Sequence, residues 1–189
     1  TICSFADGNF HSTTHRAKLV EVEEALLETK LNSAAQTTLF RVVSEIVHYA
    51  QDIKHGCTVI VDLNDQPVDI QGHKLLPALD LIDPALLLLT KSLSKIDGAL
   101  HLGADCKLHG VACLMDGKSV EAEDRARGAR YNSALRFTAD KKNLIVVVVS
   151  SDKPVSIILD GMELNARCEW KPISARFVKP PELAHWLAQ

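Results

Sequence analysis

Three short stretches carry residue types that chemistry could use: Ile96-Asp97-Gly98-Ala99, Gly128-Ala129-Arg130-Tyr131-Asn132, and Val148-Val149-Ser150-Ser151-Asp152. Asp97 supplies a carboxylate, the kind of oxygen ligand that Mg²⁺ or Mn²⁺ takes together with phosphate and water. Arg130 offers a guanidinium fork that matches a phosphate in two hydrogen bonds. Gly128, just ahead of a helical stretch, lets an anion approach the backbone closely. Together these residues suit phosphate handling, where charge neutralisation and positioning do most of the work. Each stretch also has a plainer reading. Asp-Gly is a common turn pair, charged clusters mostly face water, and Ser150-Ser151 can simply end a strand.

The elements that must position them follow from periodicity. Leu19 to Leu31 and Thr37 to Ile53 repeat apolar residues at helical spacing. CTVIVDL at 57–63 and LIVVVVS at 144–150 are short β-branched runs, the pattern of strands buried on both faces. HKLLPALDLI reads as one helical piece, and a second follows with Asp83 as its N-cap and Pro84 at its first position. GALHLGAD and KLHGVACLMDG are strands with a turn near Ala104-Asp105. EAEDRARG is a charged loop, Tyr131 to Thr138 is helical, and PVSIILDG returns as a hairpin partner to 144–150. The fold class is therefore α/β, a mixed β-sheet flanked by helices with an N-terminal helical extension. Residues 1–17 read as an arm, and ELAHWLA suggests a short terminal helix.

The totals narrow the functions. With 189 residues and a net charge of -3, the chain can bury one core and has no global positive field for nucleic acid. Cys3, Cys57, Cys106, Cys113 and Cys168 are odd in number with no CxxC pair, which fits a reducing, cytoplasmic setting. The longest uncharged apolar run, ALLLLT at 85–90, is far short of the roughly 20 residues of a membrane span. No charged start followed by an apolar stretch marks a secretory signal. The chain opens on Thr1, which suits a processed chain or a piece of a longer one. His11 and His15 make only a loose metal pair, and His101 and His109 read as strand residues near the turn.

Taken in order, these stretches resemble the diadenylate cyclase (DAC) domain of the DNA integrity scanning protein DisA and of membrane-bound cyclases. The resemblance rests on Asp97-Gly98-Ala99, on Gly128-Ala129-Arg130, on IVVVVSSDKPVSIIL, and on KHGCTVIV at 54–61, similar to a KxGALIVI strand. Asp97 and Arg130 lie 33 positions apart, and Arg130 and Ser150 lie 20 apart, close to the family's spacing. It covers residues 54–161 as a nucleotide-binding core, with 1–53 as an N-terminal arm and helices and 162–189 as a C-terminal extension.

The resemblance implies condensation of two ATP into cyclic di-AMP with Mg²⁺ or Mn²⁺, by two domains facing each other in a homodimer or higher oligomer. It makes Asp97 and Arg130 catalytic and Asp97 a metal ligand, with Asp152 a substitute for a second acid. Gly98, Ala99, Gly128, Ala129, Tyr131, Asn132, Ser150 and Ser151 become nucleotide-binding. Where the family has Arg-His-Arg this chain has Arg130-Tyr131-Asn132, and Ser151 stands where a glutamate is usual. Two activities therefore stay open: a divergent cyclase, or a module that binds an adenine nucleotide or cyclic dinucleotide without making one.

Overall fold

The computed structural model describes residues 3–6, 9–12, 17, 19–151 and 153–164. Two short strands, β1 (Cys3–Ala6) and β2 (Asn9–Ser12), pair antiparallel where the sequence suggested only an arm. In sequence, the Asp-Gly pair at 7–8 is the dipeptide type that favours a tight hairpin. Two helices follow, α1 (Val20–Leu27) and α2 (Ser33–Asp52). The first stops short of Leu31, and the second starts before Thr37 because the Asn32 side chain accepts from the Ala35 N–H at 2.9 Å.

The main sheet has seven strands: β3 (Cys57–Asp62), β4 (His73–Asp80), β5 (Ala99–Gly103), β6 (Lys107–Cys113), β7 (Leu144–Val149), β8 (Ser156–Leu159) and β9 (Met162–Glu163). Their spatial order is β4-β6-β5-β3-β7-β8-β9. Only β3 and β5 run parallel; every other neighbour is antiparallel, so the sheet is mixed as expected. α3 (Pro84–Leu93) carries the expected cap, the Asp83 carboxylate accepting from the Ala85 N–H at 2.8 Å. α4 (Ala129–Asp140) extends beyond Tyr131–Thr138 at both ends.

Alternation along β3 and β7 builds two cores. Val59, Val61, Ile145, Val147 and Val149 face α1 and α2, while Ile60, Leu144, Val146 and Val148 face Leu135 and Phe137 of α4. Both faces are covered, so both strands read as nearly unbroken apolar runs.

HKLLPALD corrects the sequence reading: it is the edge strand β4, not a helix. Leu75, Leu76 and Leu79 mimic helical spacing, but Pro77 has no N–H to give a helix interior. On an edge strand that lack costs little. Pro77 falls between Lys74 and Leu79, where the register with β6 shifts. Among the described residues no helix is long and apolar enough to cross a membrane. The terminal helix expected at ELAHWLA lies outside the described residues, as does His15.

Candidate functional site

Topology gathers the site at one edge of the sheet. β3 and β5 are parallel and start there, and β7, antiparallel to β3, ends there with Val149 opposite Cys57. Asp97 and Gly98 lead into β5. Gly98 has φ +103°, and a Cβ on it would stand 2.6 Å from the Ala112 Cα and carbonyl carbon. Only glycine both takes that φ and lets the Asp97 turn lie flat on β6. Ala99, the first residue of β5, is buried between β3 and β6, opposite Thr58 and Cys113.

The second arm is the start of α4. Gly128, at φ +90°, caps the helix with nothing within 4 Å of where a Cβ would be. No side chain caps this end, and the first turn closes with the Asn132 N–H on the Gly128 carbonyl at 3.3 Å. The N–H groups of Ala129, Arg130 and Tyr131 precede the first intrahelical bond, where a helix concentrates its positive partial charge.

Arg130 reaches from this turn to Asp97, its Nη2 lying 3.4 Å from Oδ1. The Asp97 side chain is 97 % exposed and that of Arg130 48 %, so this ion pair is worth at most about 1 kcal/mol and parts easily for a ligand. The guanidinium also lies against Gly56, just before β3, beside the Val149 carbonyl. Gly56 is the site residue that sequence reasoning missed, although it stands inside the quoted KHGCTVIV stretch. Cys57 behind it is no nucleophile, because burial pushes its thiol up to about 12 against the opposing Ser94 hydrogen bond and Arg130 charge.

Tyr131 and Asn132 turn elsewhere. The buried Tyr131 donates its hydroxyl to Glu163 Oε2 at 3.2 Å, and Arg127 stacks over its ring at 4.3 Å. Arg127 in turn donates to Glu163 Oε1 and to the Ser156 hydroxyl, both at 2.6 Å. Burial, then the Glu163 charge, holds the Tyr131 phenol above its ordinary range. Asn132 accepts from the Asp124 N–H at 2.9 Å and donates to the Asp124 and Gly128 carbonyls. The expected charged loop holds a 3-10 turn at Arg125–Arg127, which Asn132 thus fastens to α4, while Tyr131 fastens α4 to β9. Lys153 donates to the Ala126 carbonyl in the same loop. Ser150 and Ser151 follow β7 at the site's edge of the sheet, Ser150 half-buried and Ser151 exposed. Asp152 lies outside the described residues.

Among the described residues no three His, Cys, Asp or Glu side chains form a group that could hold a metal ion. A lone, exposed Asp97 fits an ion that arrives with phosphates, since Mg²⁺ commonly takes one or two carboxylates and fills its shell with phosphate and water. Two further features lie apart from Asp97. A cleft of about 780 Å³ opens at the opposite edge of the sheet among Lys30, Asn64, Asp105, Asn143 and Asp160. Asp62, wholly buried, accepts from His101 at 2.9 Å and from the Val68 N–H at 2.6 Å, pinning the loop after β3.

The DAC family, described as the DisA bacterial checkpoint controller nucleotide-binding domain, matches residues 44–163, more than half of the sequence. The chain belongs to the DAC family. The match takes in the end of α2 and reaches β9, whose Glu163 holds Tyr131 and Arg127. Two solved structures share the fold at 17 % identity and TM-score 0.51. DacA from Staphylococcus aureus, solved as a double mutant, aligns over 70 % of this chain and 88 % of its own. A hypothetical membrane spanning protein from Bacillus cereus aligns over 69 % and 67 %. No curated protein matches the chain.

Proposed function

We propose that this DAC domain binds ATP at the edge where β3 and β5 begin, and that two copies facing each other condense two ATP into cyclic di-AMP. The observation that carries the reading is the meeting of Arg130 and Asp97 in front of the uncapped first turn of α4. The first-turn N–H groups and the Arg130 guanidinium take phosphate oxygens, and the Gly98 turn presents Asp97 outward. Asp97, with Asp152 as a second candidate, holds Mg²⁺ or Mn²⁺, which when bound neutralises phosphate charge and favours loss of the 3′-hydroxyl proton. In each half-reaction one 3′-O–P bond forms and one α–β phosphoanhydride breaks, releasing pyrophosphate. Each copy holds one ATP, so a homodimer or higher oligomer is the working unit. An ATP-consuming site belongs in the cytoplasm, and the free Cys57, Cys106 and Cys113 suit that compartment.

A second reading is a module that binds the nucleotide or a cyclic dinucleotide without turnover. Tyr131 and Asn132 favour it, because both are spent on the scaffold and neither adds positive charge. The two readings separate when the purified protein is incubated with ATP and either metal, with product read by mass spectrometry and binding by calorimetry. The cyclase reading expects cyclic di-AMP that Asp97→Asn abolishes, with thermal stability nearly unchanged because the exposed pair contributes little. Binding without product under both metals would refute the cyclase and support the binding module. Absence of binding to both ATP and cyclic di-AMP would refute both.

A further inference from the structure

We infer that Gly56 is the positioning residue for Arg130: its bare α-carbon is the seat on which the guanidinium lies to face a phosphate. The inference deepens the nucleotide-binding reading and starts from a glycine with no other evident need. Gly72, Gly98, Gly128 and Gly161 adopt positive φ, whereas Gly56 does not, so φ gives no reason for a glycine there and alanine can adopt it.

Space explains what conformation does not. A Cβ on Gly56 would stand 2.5 Å from Arg130 Nη1 and 3.2 Å from its Cζ. The next neighbour, the Val149 carbonyl oxygen, is at 3.5 Å, an ordinary contact. Everything a methyl group would displace is thus the end of one flexible side chain, and that side chain reaches Asp97. The other glycines around the site differ: Gly98 and Gly72 press on the backbone of Ala112 and Cys113, which cannot swing aside.

Position matters as much as space. Gly56 lies where the parallel strands start and where β7 ends, against the side chain that α4 sends from its first turn. A guanidinium resting there has one side closed by the sheet edge and a donor directed at the Asp97 turn, which limits the orientations Arg130 must give up on binding. Holding a flexible cation ready lowers the ordering cost when a phosphate arrives.

This role has a signature that a packing role lacks. Gly56→Ala removes backbone freedom from the unfolded chain and disturbs no backbone neighbour, so thermal stability holds or rises. Nucleotide affinity falls, because the guanidinium is pushed from its seat. Loss of a charge-assisted contact corresponds to roughly a ten-fold or larger drop.

The experiment uses wild type, Gly56→Ala, Arg130→Ala and the double variant, titrated with ATP and Mg²⁺ by calorimetry and melted in parallel. A ¹H–¹⁵N spectrum follows the Arg130 Nε–H signal, assigned by its loss in Arg130→Lys. Gly56→Ala is expected to move that signal, to weaken ATP binding about ten-fold at unchanged or higher Tm, and to add nothing in the Arg130→Ala background. An unmoved Arg130 signal overturns the inference whether or not ATP binds. Equal losses from Gly56→Ala with and without Arg130 overturn it too. If wild type does not bind ATP but the signal moves, the seat stands and the ATP-binding reading fails.

Discussion

Two glycines flank the site at positive φ, yet alanine at each meets a different fate, and the contrast tests the geometry quantitatively. At Gly128 the only cost is conformational: φ is +90° and nothing lies within 4 Å of the new methyl. Forcing an L-residue there costs about 1–3 kcal/mol. Gly98→Ala carries the same kind of cost at φ +103° and adds a collision at 2.6 Å with the Ala112 Cα and carbonyl carbon. Relieving it means lifting the Asp97 turn off β6, an overpacking cost of about 1–3 kcal/mol more. The expected losses are therefore about 1–3 kcal/mol for Gly128→Ala and about 2–6 kcal/mol for Gly98→Ala. For a chain of this size each kcal/mol lowers Tm by roughly 2–4 °C. Urea titration followed by circular dichroism measures both variants. A Gly98→Ala protein within about 1 kcal/mol of wild type would show that the turn does not pack on β6 as described. A larger loss at Gly128 than at Gly98 would refute the steric reasoning itself.

Other perturbations separate scaffold from site. Asp62→Ala leaves His101 and the Val68 and Asn64 donors without their buried acceptor and is expected to cost about 3–5 kcal/mol in urea titration. Burial pushes the Asp62 carboxyl up, but hydrogen bonds from His101, Val68 and Asn64 outweigh it, so its folded pKa lies below its ordinary value. Its contribution is thus complete above the unfolded value of about 3.9 and fades as pH falls through the lower folded value. In that acid range wild type loses stability with falling pH more steeply than Asp62→Ala; parallel slopes would refute the assignment. Tyr131→Phe removes the hydroxyl bond to Glu163 and is expected to cost about 0.5–1.5 kcal/mol. Glu163→Gln removes the carboxylate charge to which both Arg127 and Tyr131 donate and should cost more than Tyr131→Phe in the same titration.

How much of this was legible beforehand differed by residue. β3 and β7 were readable because a strand covered on both faces needs a nearly unbroken apolar run, and their β-branched residues mark such a run as a strand. Asp83-Pro84 announced α3 because cap and proline act within a single turn. HKLLPALD was misread because its leucines satisfy a helical period locally, while its edge position depends on β6, which lies beyond α3 and β5 in the chain. Asp97 and Arg130 were nameable from type and motif. That Tyr131 and Asn132 look away from them was not, since Tyr131 answers to Glu163, 32 residues along the chain.

By itself, the sequence determined most of the alternation of strands and helices, the turns that need glycine, and the candidate residues for a phosphate. Those features are set by backbone conformation and by side chains within a turn or two of each other. Tertiary structure alone decided that β3, β5 and β7 share one edge, that Arg130 crosses Gly56 to reach Asp97, and that Glu163 draws Tyr131 into the scaffold. Each of these depends on which strands pair across long stretches of chain, and that choice comes from burying both faces of the sheet at once rather than from any local pattern.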